Sequence, residues 1–513
     1  MPLKGRCGKR ARASECGAGA ACAARPTLKS RPASRRRMVA PGAILLGAAL
    51  AGLIVAAAAG NSAESHHKQG LAMYRRGRHA EALASFDKAV GMDPKNADML
   101  SNRGYALRAL GRHGDALEDF EEAARLRPDS AVAHNNHGRL LYALGRNADA
   151  LAAFEKAARL DQDSVEAHTN SGYALRALGR HSEALVSFKR VAELEPGSAV
   201  AQSNIGHTLR ELGRNDEALA AFERVAEIEP GSADAHGNVG HALRALGRDD
   251  EALAAFERAG KIDPASASTH VSGGNALLSL GRHAEALRSF DHAITLGAGD
   301  YSVHYGRGTA LLNLKLREEA LSSFAKAIEL EPNIAAAHAS RGTALLDLGR
   351  SEEALASFDR AITLDQSVAL AHFGRGHALL NLGRNGDALG SLTRAVEADP
   401  KNADMHLGHG TALLNLELYK EAVEPLRQAT LLAPRSAAAY GSLGSALLNL
   451  GRHKEALASF DLALRSDPRS ASLHLGRGTA LLGLGESDAA RAALTMAVNL
   501  DPRGGSRVRE AAP

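Results

Sequence analysis

The sequence predicts an all-α solenoid of thirteen 34-residue helix-turn-helix repeats, preceded by one hydrophobic helix. Three observations carry this prediction. Gly recurs every 34 residues, at 70, 104, 138, 172, 206, 240, 274, 308, 342, 376, 410, 444 and 478, and Ala follows each by 12, from Ala82 to Ala490. Apolar residues recur at 3.6-residue spacing on both sides of a Gly-Arg turn in each copy, the pattern of two amphipathic helices. Trp is absent and only 4% of the 513 residues are aromatic, so small residues must supply the close packing. A fixed period of this length marks a stacked array, which escapes the limit of roughly 250–300 residues on a single core.

Residues 1–37 form a basic leader with eleven Lys or Arg against Glu15 alone. It is rich in Ala, Gly and Arg without hydrophobic periodicity, the composition of a disordered segment. Its excess of positive charge outweighs the net +4 of the whole chain, so the remainder is mildly acidic. No basic stripe runs along that remainder, which excludes nucleic acid as the main partner. Cys7, Cys16 and Cys22 all lie in the leader at spacings that fit no zinc template, and the body has no cysteine.

Residues 38–60 are the hydrophobic segment. After Arg35, Arg36 and Arg37, an uncharged run over 39–60 carries Ile44, Leu45, Leu46, Leu53, Ile54 and Val55. As a helix it would span roughly 30 Å of hydrocarbon, longer than a signal-peptide core of about 7–15 residues. A membrane anchor is the leading reading. A cleaved signal is the alternative, because Ala57, Ala58 and Ala59 before Gly60 have the small side chains of a cleavage site. Positive flanks stay cytoplasmic, and Asn61, Ser62, Ala63 and Glu64 on the other side are neutral to acidic. The repeat body is therefore expected outside the cytoplasm: periplasmic in a bacterium, or secreted after cleavage. Met38 is a second candidate start, and starting there removes most of the charge behind this orientation.

The repeats run over 63–504, with a short tail over 505–513. In the second copy the first helix carries Leu100, Gly104, Leu107 and Leu110, and its partner Ala116, Leu117, Phe120 and Ala123. Ten copies place Phe four residues beyond the Ala, from Phe86 to Phe460, and Leu392, Leu426 and Leu494 replace it in the others. Ser130, Ser164, Ser198, Ser232, Ser266, Ser436 and Ser470 sit where an N-cap accepts backbone N–H bonds. Pro94, Pro128, Pro196 and their equivalents close the preceding helices. At the far end Arg491 stands where eleven copies have Leu and another has Val423, and with Glu486, Ser487 and Asp488 it is expected to give the array a polar cap.

These Gly, Ala, Phe and Pro positions resemble the tetratricopeptide repeat across 63–504. The resemblance implies helix pairs stacked into a right-handed superhelix with a concave groove lined by the first helices. The departure is at the family's early Trp position, where ten copies have His: His66, His134, His168, His236, His270, His304, His338, His372, His406 and His474. These are expected to be flat fillers that face inward and fold neutral. Without Cys or paired carboxylates beside them they make no metal site.

Copies are numbered from Ala63, and positions run from 1 to 34 within each. Positions 2, 6, 9 and 13 share one stripe of each first helix, expected to line the groove, while 4, 8, 11 and 14 are expected to face inward. Position 6 is Asn102, Asn136, Asn170, Asn204 and Asn238 in five successive copies. An amide both donates and accepts, so a ladder of them can pair with an extended peptide backbone whatever its side chains. Arg108, Arg176, Arg210 and Arg244 at position 12 suit acidic side chains on that peptide. Copies 2 to 6 thus resemble the repeat array of O-linked N-acetylglucosamine transferases, whose groove asparagines hold substrate polypeptide. From copy 7 onward position 6 is Ser or Gly, and position 13 gains Asn313, Asp347, Asn381, Asn415 and Asn449, so the groove has two differently paved halves.

The function expected from these residues is a non-enzymatic protein-protein interaction scaffold that binds extended peptide segments and needs no cofactor. The alternative is the substrate-selecting subunit of a glycosyltransferase of the O-linked N-acetylglucosamine type, with its catalytic domain on another chain. No phosphate-binding Gly-rich loop, nucleophile motif or metal signature appears in the body.

Overall fold

The structure, a computed structural model, describes residues 62–501. The basic leader, the hydrophobic segment over 38–60 and the tail lie outside the described residues. Among the described residues there are twenty-six α-helices and no strand, and no helix is long and apolar enough to cross a membrane.

The described residues divide into two compact units, one ending at Arg112 and the other beginning at His113. In the first, helices Ala63–Arg75, His79–Met92 and Ala97–Ala109 pack in chain order. In the second, twenty-three helices from His113–Leu126 to Ser487–Leu500 each pack on the next. Several neighbouring first helices also touch, such as Ala335–Asp347 and Ala369–Asn381. This unit is a solenoid of tandem helix pairs.

Local chemistry sets the helix bounds. Ser130, Ser164, Ser198, Ser232, Ser266 and Ser436 each accept a hydrogen bond on Oγ from the backbone N–H three residues on, which satisfies one orphan donor of the first turn. Ser470 departs from the expectation: its hydroxyl pairs with Ser472 and leaves the helix start without a side-chain cap. Asn96, Asp300 and Asn402 do cap, through carboxamide or carboxylate oxygens. Between paired helices the chain turns through a left-handed residue, Gly145 at φ 75° and Gly179 at φ 72° for example. Lys315 at φ 64° and Glu417 at φ 60° hold the same place without glycine.

The core is built from the periodic small residues. The Ala at position 20 is fully buried in Ala82, Ala116, Ala150 and onward, and the Phe at position 24 is as deeply buried. In nine copies the Phe ring lies against the Gly of its own helix pair. A Cβ on Gly172 would come within 2.5 Å of Phe188, and one on Gly206 within 2.6 Å of Phe222. Only glycine lets the two helices approach that closely.

The inward face is not the expected one at every position. Positions 8 and 11 are buried as expected, but positions 3 and 10 carry more of the core, as Ala167, Ala174, Ala201, Val303 and Ala310 show. Position 14 is the residue after the helix: Leu144, Leu178 and Leu450 there are exposed at the turn, while Leu212, Leu246 and Leu280 are half-buried against the core.

The His at position 4 does more than fill space. In eight copies its Nε2 lies 2.9–3.2 Å from the carbonyl oxygen of the residue closing the preceding copy: Pro for His134, His236, His270, His338, His406 and His474, Gln162 for His168 and Gln366 for His372. A carbonyl only accepts, so Nε2 carries the proton and donates. Arg at position 7 forms a second tie between copies. Arg307, Arg375 and Arg477 each donate from Nε to an Asp of the preceding copy at 2.6 Å, Asp291, Asp359 and Asp461.

Candidate peptide-binding face

Positions 2 and 13 are exposed on almost every first helix, while 6 and 9 are mostly half-buried. The side chains at these four positions share one face, but the five position-6 amides do not stand equally free on it. Asn136 and Asn204 are only 7% and 8% exposed, whereas Asn102, Asn170 and Asn238 are half-buried. Three use their amide donor within the array. Asn102 donates to the Asp98 carbonyl at 2.8 Å and lies 2.9 Å from His67 Nε2. Asn170 donates to Asn135 Oδ1 at 2.9 Å and Asn204 to the Tyr173 hydroxyl at 3.0 Å. Among the described residues none of the five holds a buried polar atom without a hydrogen bond. The ladder therefore ties neighbouring copies together as well as facing outward. Asn135, buried one residue before Asn136, is a member that the sequence pattern does not mark.

The arginines divide in the same way. Arg176 reaches Glu211 at 3.5 Å and Arg244 reaches Asp249 at 4.0 Å, both on neighbouring elements. Arg108 lies over the Tyr105 ring at 5.3 Å, a cation-π contact that still leaves its charge on the surface. Arg210 is exposed. In the later copies Asn313 and Asn449 donate to the carbonyls of Thr309 and Ser445 in their own helices, and Asp347 pairs with Arg317 at 3.4 Å. Asn381 and Asn415 are on the surface at the same register.

Two cavities open on this face of the second unit. One, about 350 Å³, lies over copies 5 to 7 and is polar: Asn238, Asp234, Ser203, Ser272, His207 and His241 line it. Burial holds the His207 imidazole below its ordinary range, and the nearby Arg210 and Arg176 add to the effect. The other, about 510 Å³, lies over copies 9 to 12 and is lined mainly by apolar groups. Both draw their walls largely from positions 2, 5, 6 and 9 of successive first helices, so one register builds both. A further cavity of about 430 Å³ opens between the second helices Asp249–Ile262 and His283–Thr295, outside this face.

In three of the later copies position 6 is a close-packed glycine. A Cβ on Gly306, Gly374 or Gly476 would run into the ring of Phe290, Phe358 or Phe460 in the preceding copy. The same register that holds Asn in copies 2 to 6 is thus closed to any side chain in those three copies.

A tetratricopeptide-repeat family model matches nine overlapping or adjacent stretches, beginning with 67–131, 135–199 and 204–267 and ending with 442–505. No curated protein matches the chain. Among solved structures it is similar to YrrB, reported as a TPR protein with an unusual peptide-binding site, at 26% identity over 36% of this chain and 94% of that one, with a TM-score of 0.32. It is also similar to the APC/C hetero-tetramer Cut9-Hcn1, at 14% identity over 86% and 95% of the two chains (TM-score 0.45), and to MamA, at 24% identity over 31% and 94% (TM-score 0.30).

Proposed function

The chain belongs to the tetratricopeptide repeat family, and from that premise we propose that it is a non-catalytic interaction scaffold whose first-helix face holds extended segments of other proteins. The observation that carries this reading is the pair of cavities on one face, built by one register of consecutive first helices. An extended peptide repeats about every 6.6–6.8 Å along its backbone, and a face whose pockets recur along a helical stack offers successive places for its side chains. Half-buried amides such as Asn170 and Asn238 supply sequence-independent hydrogen bonds to the backbone. Arg176, Arg210 and Arg244 supply charge for acidic side chains. Net hydrogen bonds of about 1 kcal/mol each give such a surface graded, additive affinity.

In this reading the thirteen copies over 63–504 form one array with the groove of the family. The sequence 39–60 is its membrane anchor and places the array outside the cytoplasm, a placement carried by Arg35, Arg36 and Arg37 on one flank and Asn61 and Ser62 on the other. The test is capture of partners by the full chain in detergent, with Asn170→Ala/Asn238→Ala as comparison. Loss of the same partners from the double variant, at unchanged helicity, supports the reading. Identical capture by both proteins removes the amide ladder from it.

A further inference from the structure

The 510 Å³ cavity differs from the polar one in what its register positions hold. At position 12 the face changes from Arg176, Arg210 and Arg244 in copies 4 to 6 to Leu346, Leu380 and Leu414 in copies 9 to 11. At position 6 it changes from Asn170, Asn204 and Asn238 to Gly374 and Gly408. Both glycines line the cavity. A Cβ on Gly408 would approach Leu392 to 3.0 Å and Phe373 to 3.3 Å. Its walls include Leu346, Leu370, Phe373 and Leu407, and Leu370 is 49% exposed despite its size.

Charge is distributed with equal consistency. Among the described residues, Asp347 and Asp404 line the cavity and no Lys or Arg does. Asp347 already meets Arg317, and Asp404 is exposed in the first turn of its helix. His377 completes the wall between them, its ring edge-on to Phe373 at 4.4 Å and its buried Nε2 without a hydrogen-bond partner among the described residues. Burial holds this imidazole below its ordinary range against the opposing pull of Asp404, so at neutral pH the ring adds no positive charge. A concave apolar site with a few convergent polar groups is the usual form of a specificity pocket, and its volume exceeds that of a single Phe side chain.

We propose that this cavity is a second, separate specificity pocket that takes an apolar side chain of Leu or Phe size from a partner segment in which that residue is flanked by Lys or Arg. The proposal rests on the peptide-binding reading above and adds the chemistry of the partner at copies 9 to 12. The apolar side chain covers Leu370 and Phe373, and the flanking cation meets the Asp404 carboxylate. The polar cavity over copies 5 to 7 likewise holds an Asp, Asp234, and no Lys or Arg, so the two pockets discriminate between partner segments by apolar against polar lining.

The test uses the full chain and four fluorescein-labelled twelve-residue peptides in a Gly-Ser background, measured by fluorescence anisotropy. Their cores are Lys-Phe-Lys, Glu-Phe-Glu, Lys-Gly-Lys and Glu-Glu-Glu. The Lys-Phe-Lys peptide is expected to bind at least tenfold more tightly than the Glu-Phe-Glu and Lys-Gly-Lys peptides. Leu370→Lys and, independently, Asp404→Lys should each weaken it about tenfold while leaving Glu-Glu-Glu binding and the helical circular dichroism spectrum unchanged. Both residues are partly or fully exposed, so neither variant touches the core. Equal affinity for Lys-Phe-Lys and Lys-Gly-Lys overturns the proposal, as does Lys-Phe-Lys binding that both variants leave intact. If the Glu-Glu-Glu peptide binds and Lys-Phe-Lys does not, the pocket fails alone. If no peptide binds, the peptide-binding reading fails with it.

Discussion

A Cβ added to Gly138 would lie 2.6 Å from the ring of Phe154, well inside carbon contact distance. The approach of the two helices in that copy is therefore set by a hydrogen atom on one side and a fully buried ring on the other. Gly138→Ala should destabilise the array: overpacking costs ~1–3 kcal/mol, against about 1 kcal/mol gained in helix propensity. Gly390, inside helix Asn385–Ala398 with nothing near its missing Cβ, is the control, and Gly390→Ala should stabilise by about 0.5–1 kcal/mol. Urea unfolding followed by circular dichroism measures both, and a stabilising Gly138→Ala would refute this account of the core.

Lys315 and Glu417 occupy the left-handed turn position that glycine holds at Gly145, Gly179 and Gly349. A Cβ in that conformation costs roughly 1–2 kcal/mol, partly offset by the larger unfolded-state entropy of glycine. Lys315→Gly and Glu417→Gly should each raise stability by about 0.5–1 kcal/mol. Gly349→Ala should lower it by a similar amount, and thermal melts of the three variants would show opposite signs.

Acid should loosen the second unit through a small set of histidines. His134, His137, His207, His241, His304, His377 and His409 are held below the ordinary imidazole value, each chiefly by burial. Glu121 opposes the effect at His137 and Glu211 at His207, while Lys156 adds to it at His134. A base with a depressed folded pKa binds fewer protons folded than unfolded, so its contribution is complete above the unfolded value near 6.5 and is lost as pH falls below that, toward the folded value. The melting temperature should be lower at pH 5 than at pH 7.5. Replacing these seven residues by Gln should shrink the difference, and an unchanged pH dependence would contradict the assignment.

That set reaches beyond the one the sequence suggests. The ten position-4 histidines share a register that reads as inward-facing, and of that series His134 and His304 belong to it. The others in the acid-sensitive set come from positions 7 and 9. What the sequence cannot display is the carbonyl of the preceding copy at Nε2: the tie from His338 to Pro332 depends on where a loop six residues away comes to rest. The Gly, Ala and Phe of each helix pair are legible because a contact repeated at a fixed period leaves a fixed period in the chain. The same holds for the Ser caps, whose partner is only three residues away. The candidate site is legible as a register and not as an exposure. Asn136 and Asn204 keep the period of Asn170 but are buried, Asn204 with its amide on Tyr173, and the cavity at copies 9 to 12 is lined by Gly374 and Gly408 at the register that holds Asn in the earlier copies.

If partners lie along the first-helix face, site-specific photo-crosslinking from the full chain will find them there, whatever their identity. A benzophenone side chain placed at Asn170 or at Asn238 faces the stripe, and one at Glu223 is exposed on the second helix Asn215–Ile228. On irradiation in the presence of captured partners, positions 170 and 238 are expected to yield adducts and position 223 none. Adducts from position 223 alone, or in equal yield from all three, would contradict binding along this face.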